Sequence, residues 1–285
     1  MKFIIGLLIV TGCVLGGFML SHGPFEILMQ PYEFMIIFGA AVGAFVASNP
    51  GTVIKGVLSN IPALLRGSKY NKQSYLDLLA LMFELFAKAR KEGLMALEND
   101  IEEPNESEIF KRYPKILGDH HALDFIRDYL RLMVGGSMNP MELENLMDVE
   151  LDTHHDEAHL PSHAVSNMAD GLPAFGIVAA VLGVVITMGA ISEPPDVLGH
   201  HIAAALVGTF LGILLSYGYV SPMGTFLGHV SREEGKYLEC IKVCILATLH
   251  GYTPQVAVEF GRKALYSHVR PGFTELEEYI KNIKK

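Results

Sequence analysis

Apolar residues are concentrated in four runs, each long enough to cross a bilayer as a helix. The runs cover residues 3–20, 34 to about 53, 172–191 and 201–220. A bilayer core of about 30 Å requires about 20 helical residues at about 1.5 Å each. The short segments SHGPFEILMQPYE and SEPPDVLGH separate the runs pairwise. The pattern therefore predicts four transmembrane helices arranged as two hairpins.

The long segment between the hairpins shows helical periodicity. In SYLDLLALMFELFAKARKEG, apolar residues recur three and four positions apart, as expected of an amphipathic helix. These residues are Leu78, Leu79, Met82, Leu85 and Phe86. ALDFIRDYLRLMV and PMELENLMDVELDTHHDEAH predict two more helices, and KYLECIKVCILATLHGY and TELEEYIKNIKK predict helices in the tail.

The prediction is thus an all-α polytopic membrane protein with a helical cytoplasmic domain. Its parts are the first hairpin at 1–53, the cytoplasmic domain at 54–170, the second hairpin at 171–222 and a cytoplasmic helical tail at 223–285.

The distribution of positive charge indicates the topology. All 22 Lys and Arg residues lie outside the two short hairpin loops, so the positive-inside rule places both termini and the middle segment in the cytoplasm. No Lys or Arg occurs between Arg131 and Arg232, so local charge does not orient the second hairpin. Its orientation follows from the number of spans, because the two spans of the first hairpin return the chain to the cytoplasm. Alternatively, the first run is a signal sequence, since VTGC ending at Cys13 resembles a lipoprotein cleavage box; the charge distribution argues against this.

Composition narrows the classes of function. The chain is 50% hydrophobic and 19% charged, with a mean hydropathy of +0.32, which favours a polytopic membrane protein over a globular enzyme. Because its net charge is −9, the protein has no overall positive potential that would attract nucleic acid, and nucleic acid is not an expected partner. No phosphate-binding loop, nucleophile elbow or catalytic carboxylate pair occurs in the polar parts. We therefore predict a protein that is not an enzyme.

A histidine cluster offers one alternative. HHDEAHLPSH places His155, His159 and His163 four residues apart, which would stack them on one helix face as metal ligands require. However, Asp156 departs from the zinc-protease motif, and we expect Pro161 to interrupt the helix before His163. A solvated histidine-rich segment is favoured over a metal-dependent membrane hydrolase, and no metal site is predicted.

Small residues recur at four-residue spacing in every predicted span, which allows close approach of helices in lipid. The pairs are Gly12 and Gly16, Gly39 and Gly43, Ala179 and Gly183, and Gly208 and Gly212. They indicate either packing within one chain or packing between subunits around a shared pore.

The predicted spans contain no acidic or basic residue near mid-depth, although proton and sodium transporters normally need one. Glu33 and Asp170 lie only at the ends of spans. If the chain lines an ion path, another chain must supply the acid. Pro173 and Pro222 lie near the cytoplasmic ends of the second hairpin, where they either delimit its helices or form compliant joints.

The chain resembles the flagellar stator A subunit, the MotA family, over nearly its whole length. The resemblance rests on DGLPAFGIVAAVLGVV, LVGTFLGILLSYGYVSP, ALENDIEEPNESEIFKRYP, HALDFIRDYLRLMVGG and VAVEFGRKALYS. It implies a homo-pentameric ring in the lipid of the bacterial inner membrane, around B subunits whose transmembrane aspartate carries the ion. No cofactor is expected beyond the transported ion, for which the strings favour a proton over sodium.

The resemblance also implies roles for individual residues. Arg90 and Glu98 match a charged pair that engages a rotor switch-complex protein, and on a continuous helix they would lie about 12 Å apart. Pro173 and Pro222 match prolines that couple ion passage to movement, and Thr209 matches a hydroxyl near the ion path. The alternative is a ring that energises envelope transport, since the chain is more remotely similar to ExbB and TolQ.

Overall fold

Every regular element of the computed structural model, which describes residues 2–136 and 138–283, is helical. In chain order the α-helices are α1 (Lys2–Leu20), α2 (Phe25–Leu28), α3 (Pro31–Ser48), α4 (Gly51–Arg66), α5 (Lys72–Glu92), α6 (Glu98–Glu102), α7 (Pro114–Leu117), α8 (His120–Gly135), α9 (Pro140–Gly189), α10 (Pro195–Ile213), α11 (Ser221–Leu249), α12 (Pro254–Ala264) and α13 (Phe273–Ile283). Short 3-10 helices cover Leu94–Leu97 and Phe110–Arg112, and a π-helix, the π segment, covers Leu214–Val220.

The described residues divide into two compact units. The membrane unit comprises Met1–Gly67 and Ala158–Val230, and the helical unit comprises Ser68–Glu157 and Ser231–Lys285. These limits differ from the predicted ones at 53, 170 and 222, because α4 and residues just beyond the second hairpin belong to the membrane unit. Val57 and Leu64 of α4 pack there with Val165 and Leu227.

Four helices of the described chain are long and apolar enough to cross a membrane. They lie in Lys2–Leu20, Phe25–Ser48, Pro140–Gly189 and Pro195–Leu249. Their lipid-facing character is visible in the exposed apolar side chains, among them Leu8, Met35, Val185 and Leu206. The prediction of a multi-pass, all-helical membrane protein is confirmed.

The second predicted span is wrong at its C-terminal end. Helix α3 stops at Ser48, Asn49 is extended with φ −119° and ψ 139°, and α4 starts at Gly51. Pro50 explains the break, because proline disfavours the helical conformation of the preceding residue. The predicted second span therefore combined two elements, the membrane span α3 and the start of a separate helix, α4.

Helix α9 runs 50 residues without a stop, through both Pro161 and Pro173. The prediction that Pro161 interrupts the helix before His163 is wrong. Each proline removes one backbone hydrogen bond but need not end a helix that is held by packing along its length. The ring of Pro161 fits against Gly56 of α4, where an added Cβ would lie 3.0 Å from the proline Cγ.

The helical unit surrounds α5. The residues that the periodicity of α5 assigned to a core, Leu78, Leu79, Met82, Leu85 and Phe86, are at most 1% exposed. Asn71 caps the helix by accepting a hydrogen bond from the backbone N–H of Ser74. The core continues into α8, α11 and α12 with Phe125, Ile241 and Ala257.

Candidate functional site

Pro173 lies in the interior of α9, so it interrupts the hydrogen-bond ladder rather than starting a helix. A helical residue at 173 would donate its N–H to the carbonyl of Ala169, but proline has no N–H. The hydroxyl of Ser216 donates to that carbonyl over 2.6 Å. Ser216 and Ala169 are both fully buried. The acceptor that the proline leaves free is therefore satisfied by a side chain from a different helix.

Pro222 follows the π segment at the second position of α11. The N–H of Ser221 donates to the carbonyl of Ser216, five residues earlier, which is the π pattern. The next residue has no N–H, so the change from π to α spacing coincides with the proline. Pro173 thus lies inside a helix and Pro222 lies at the junction of the π segment with α11, and both lie where helical hydrogen bonding is altered.

The π segment is also attached to α1. The hydroxyls of Thr11 and Tyr219 are hydrogen bonded at 2.6 Å. Gly218 lies beside the same helix, since a Cβ there would be 3.1 Å from Cγ1 of Val10. The π segment thus contacts α9 through Ser216 and α1 through Tyr219.

Small residues hold the second hairpin together within one chain. A Cβ on Gly212 would lie 2.8 Å from both the Cα of Gly176 and the carbonyl oxygen of Leu172. A Cβ on Gly183 would lie 2.7 Å from the Cβ of Ala205. Thr209 stands in this contact region, with its Cα among the nearest atoms to Gly176. For this hairpin, the interpretation of intrachain packing is correct.

The first hairpin differs. Cβ atoms added to Gly12, Gly16, Gly39 and Gly43 would meet no atom of the described chain within 4 Å. The two interpretations of the small-residue pattern therefore apply to different hairpins, because the paired small residues of the second hairpin contact each other's helices, whereas the paired glycines of the first do not. Ala41 of α3, outside those pairs, is buried against Leu172 and Ala179.

The interior of the spans is uncharged. Glu33 lies in the first turn of α3 and Asp196 in the first turn of α10, while residues 34–48, 171–189 and 202–220 contain no acidic or basic side chain. The hydroxyl of Thr187 donates to the carbonyl of Gly183 in its own helix. If the chain lines an ion path, the charged group that such a path normally needs comes from another chain.

Arg90 and Glu98 are both exposed, but they lie on different elements. Helix α5 ends at Glu92, and Gly93 has φ +90°, which a helix interior does not allow. A 3-10 helix then leads to Glu98 at the start of α6. The prediction that the two charges lie on one continuous helix is wrong, and the spacing of about 12 Å that it implied does not apply.

Buried contacts fix the segment that carries Glu98. Leu97 is fully buried and Ile101 is 1% exposed. Asp100, 6% exposed, accepts hydrogen bonds from Nζ of Lys88 at 2.6 Å and from the hydroxyl of Ser107 at 2.5 Å. The first of these is a partly buried ion pair that links α5 directly to α6, which are not continuous with each other.

Helix α8 supports the same segment from another direction. Nε of Arg127 donates to the carbonyl of Ile101 over 2.6 Å, and Arg131 makes a bidentate pair with Glu102 at 2.8 and 2.9 Å. The hydrogen bond from Arg131 lowers the pKa of Glu102 below its ordinary value, with help from the charges of Arg131 and Arg127. Glu102 therefore stays ionised over the neutral range.

The histidine cluster does not form a metal centre in this conformation. His155, His159 and His163 all lie on α9, and Nδ1 of His163 is 3.1 Å from Nδ2 of Asn167. Within residues 2–136 and 138–283, no three potential metal ligands are grouped to hold an ion. The metal-dependent hydrolase gains no support from this geometry.

The structure thus brings Pro173 together with Ser216 and places Thr209 in the same helix pair, while Arg90 and Glu98 belong to the other unit. Sequence reasoning missed the role of Ser216, whose partner is 47 positions away. A signal existed, since a serine in an apolar span near a proline is a candidate donor to the freed carbonyl.

Comparison with known proteins matches two family models. The Motility protein A N-terminal model covers residues 4–93, and the MotA/TolQ/ExbB proton channel family model covers residues 119–239. Motility protein A of Escherichia coli is 52% identical over 284 residues, which is 100% of this chain and 96% of the relative. Chemotaxis protein LafT of Vibrio parahaemolyticus is 37% identical, covering 98% of each chain.

Two solved structures have the same fold. The flagellar MotAB stator complex from Bacillus subtilis matches with a TM-score of 0.72 and 25% identity over 90% of this chain and 92% of that chain. The MotAB structure of C. jejuni matches with a TM-score of 0.77 over 93% and 96%, at 19% identity.

Proposed function

The chain belongs to the motility protein A family of MotA/TolQ/ExbB proton channel proteins and is a stator subunit of the bacterial flagellar motor; we propose that it conducts protons together with a B subunit that carries the ion-binding acid. The observation that carries this proposal is the absence of acidic and basic residues from the interior of its spans. Such a chain can line an ion path but cannot bind the ion by itself.

The assembly that we propose is a homo-pentamer around B subunits in the bacterial inner membrane, with both termini in the cytoplasm. The clustering of Lys and Arg outside the hairpin loops supports this orientation. The glycines of α1 and α3 meet nothing within the described chain, which leaves two small-residue faces for neighbouring subunits. Thr209 would then lie on the helix pair nearest the B subunit and the ion.

Pro173 and Pro222 are proposed to couple ion passage to movement. Protonation of the B-subunit acid removes a buried charge and changes which packing of the surrounding helices is favoured. Helices α9 and α11 extend beyond the membrane spans in one piece. Because each has an altered hydrogen-bond ladder at its proline, a change in packing bends these positions more readily than an intact helix.

Arg90 and Glu98 are proposed to engage a charged surface of the rotor. Exposed charges of opposite sign set the orientation and the rate of encounter with a partner. Since Arg90 lies on α5 and Glu98 on α6, the rotor must contact two elements at once. Their relative position depends on the ion pair between Lys88 and Asp100.

The proposal is tested by complementation of a strain that lacks its own stator A subunit. The native chain should restore swimming, and Arg90→Glu or Glu98→Lys should remove most of the torque while the complex still assembles. Opposite substitutions on the rotor should restore torque. Lys115→Glu is the matched control, because Lys115 is exposed in the same unit but lies on α7.

Normal torque in both charge variants would contradict the docking role. Assembly and ion flow without any torque from the native chain would instead favour energisation of envelope transport. Ion flow that continues in sodium-free medium and stops when the proton gradient is removed is the expected result for the transported ion.

A further inference from the structure

Ser216 occupies the place where the hydrogen bonding of α9 is broken. Its side chain is fully buried, and its hydroxyl donates to the carbonyl of Ala169 over 2.6 Å. In an α-helix this carbonyl would receive the N–H of residue 173, which proline lacks. Ala169 is fully buried within the chain, so no water replaces the missing donor and an unsatisfied carbonyl is costly.

The same residue belongs to the second altered helix. Ser216 lies in the π segment, where its own carbonyl accepts the N–H of Ser221, immediately before Pro222. One residue therefore satisfies the carbonyl freed by Pro173 and anchors the π spacing that ends at Pro222. If α9 bends at Pro173, Ala169 moves relative to Ser216 and their hydrogen bond is stretched or broken.

We propose that Ser216 is a positioning residue for torque generation, whose hydrogen bond to Ala169 defines one of two bent forms of α9 and links the two proline sites. The inference rests on the proposed coupling role of Pro173. A hydrogen bond made in only one arrangement biases a two-state equilibrium by its full differential free energy. Loss of the bond therefore shifts the equilibrium.

Ser162 provides a matched control. Its hydroxyl donates to the carbonyl of Gly224 over 2.7 Å, also between two helices of the membrane unit. The residue four positions after Gly224 is Gly228, which keeps its N–H and can donate to that carbonyl. Removing the Ser162 hydroxyl therefore leaves an acceptor that still has a helical donor, whereas removing that of Ser216 does not.

The first experiment compares Ser216→Ala with Ser162→Ala in the full complex with the B subunit. Torque per assembled complex is measured on tethered cells, and proton flux is measured with complexes in liposomes. We expect Ser216→Ala to lower torque by about fivefold or more, as a coupling change of about 1 kcal/mol would. Ser162→Ala should stay within about twofold of the native chain. Equal torque in the two variants would overturn the inference.

A second pair of variants separates the hydroxyl from the shape of the side chain. Thr and Val have nearly the same volume, but only Thr has a hydroxyl. Ser216→Thr should retain torque that Ser216→Val loses, because both add the same bulk. If the two variants behave alike, the hydrogen bond has no positioning role.

Pro173→Ala returns an N–H that can donate to the carbonyl of Ala169. Adding Ser216→Ala to Pro173→Ala should therefore change the thermal stability of the complex much less than Ser216→Ala does in the native chain. The double variant should assemble even if Ser216→Ala alone does not. Additive effects would show that the two groups do not share the carbonyl. Unchanged torque in Pro173→Leu would instead contradict the proposed coupling role of the proline. The two experiments therefore distinguish an error in the proposed function of Pro173 from an error in the proposed role of the Ser216 hydrogen bond.

Discussion

At the scale of single residues, the segment that presents Glu98 depends on a buried charge. Asp100 is 6% exposed and bonded to both Lys88 and Ser107. In contrast, Glu98 itself is exposed. The proposed docking surface combines solvent-facing charges, which would meet the partner, with a charged residue of low exposure that holds their backbone in place. The two classes should respond differently to substitution.

Asp100→Ala should destabilise the helical unit and reduce torque together. It leaves the ammonium group of Lys88 and the hydroxyl of Ser107 without their shared partner. Because the Lys88 side chain is 29% exposed and can be hydrated, the cost is lower than for a fully buried pair, about 2 kcal/mol. For a unit of this size that corresponds to a fall in the denaturation midpoint of roughly 6 °C. The midpoint is measured on the solubilised complex. Glu103→Ala is the control, because Glu103 is exposed in the same segment; the same midpoint in both variants would contradict the structural role.

At the scale of elements, the contact between α9 and α10 depends on the absence of side chains. Gly212→Ala places a methyl group 2.8 Å from the carbonyl oxygen of Leu172 and the Cα of Gly176. Because both are backbone atoms, neither can move aside without shifting a helix, and such overpacking costs about 1–3 kcal/mol or more. The variant should accumulate in membranes at a lower level and melt at a lower temperature than the native chain.

Gly199→Ala tests whether this loss arises from the close contact. Gly199 lies on the same helix, α10, but an added Cβ meets no described atom within 4 Å. Since alanine has a higher helix propensity than glycine, this control should be neutral or slightly stabilising. Equal losses in the two variants would show that α10 does not approach α9 as closely as the structure indicates.

The elements themselves are predictable from the sequence wherever burial makes apolar residues recur at a regular spacing. The burial of Leu78, Met82 and Leu85 in α5 was predictable because one stripe of an amphipathic helix must face a core. The burial of its other faces, which include Ala80 and Leu81, was not, because it depends on the elements that surround α5. The spans were predictable because lipid requires long apolar helices. The continuation of α9 through Pro161 was not predictable, since it depends on space beside Gly56, which is distant in sequence.

The candidate site, too, was only partly predictable from the sequence. The roles of Arg90, Glu98 and Thr209 came from resemblance, which gives residue identities but no geometry, whereas the two prolines were already singled out from their places near the ends of the second hairpin. Local sequence contained a warning against placing both charges on one helix, since Gly93 interrupts the pattern. The bond from Ser216 to Ala169 joins residues 47 positions apart, and no local pattern specifies which carbonyl a buried serine reaches.

At the scale of the whole molecule, the paired glycines of the two hairpins differ in what they contact. Gly176 and Gly212 bring α9 and α10 together within the chain, whereas Gly39 and Gly43 face no described atom. Lipid gives helices little hydrophobic reason to associate, so exposed small-residue faces gain stability only by packing against another helix. The glycine faces of α1 and α3 are therefore the surfaces on which we expect neighbouring subunits of the proposed ring to meet.

Gly43→Leu should separate assembly from folding. A Cβ added at this position meets no described atom of the chain within 4 Å, so the variant should insert and reach native levels, but it should prevent close approach of a neighbouring subunit. Native mass spectrometry of the solubilised complex with its B subunit should give a homo-pentamer for the native chain and smaller species for Gly43→Leu. Ala44→Leu, a smaller increase in bulk at an adjacent exposed position, serves as the comparison. An intact pentamer in Gly43→Leu would move the subunit interface away from this face of α3.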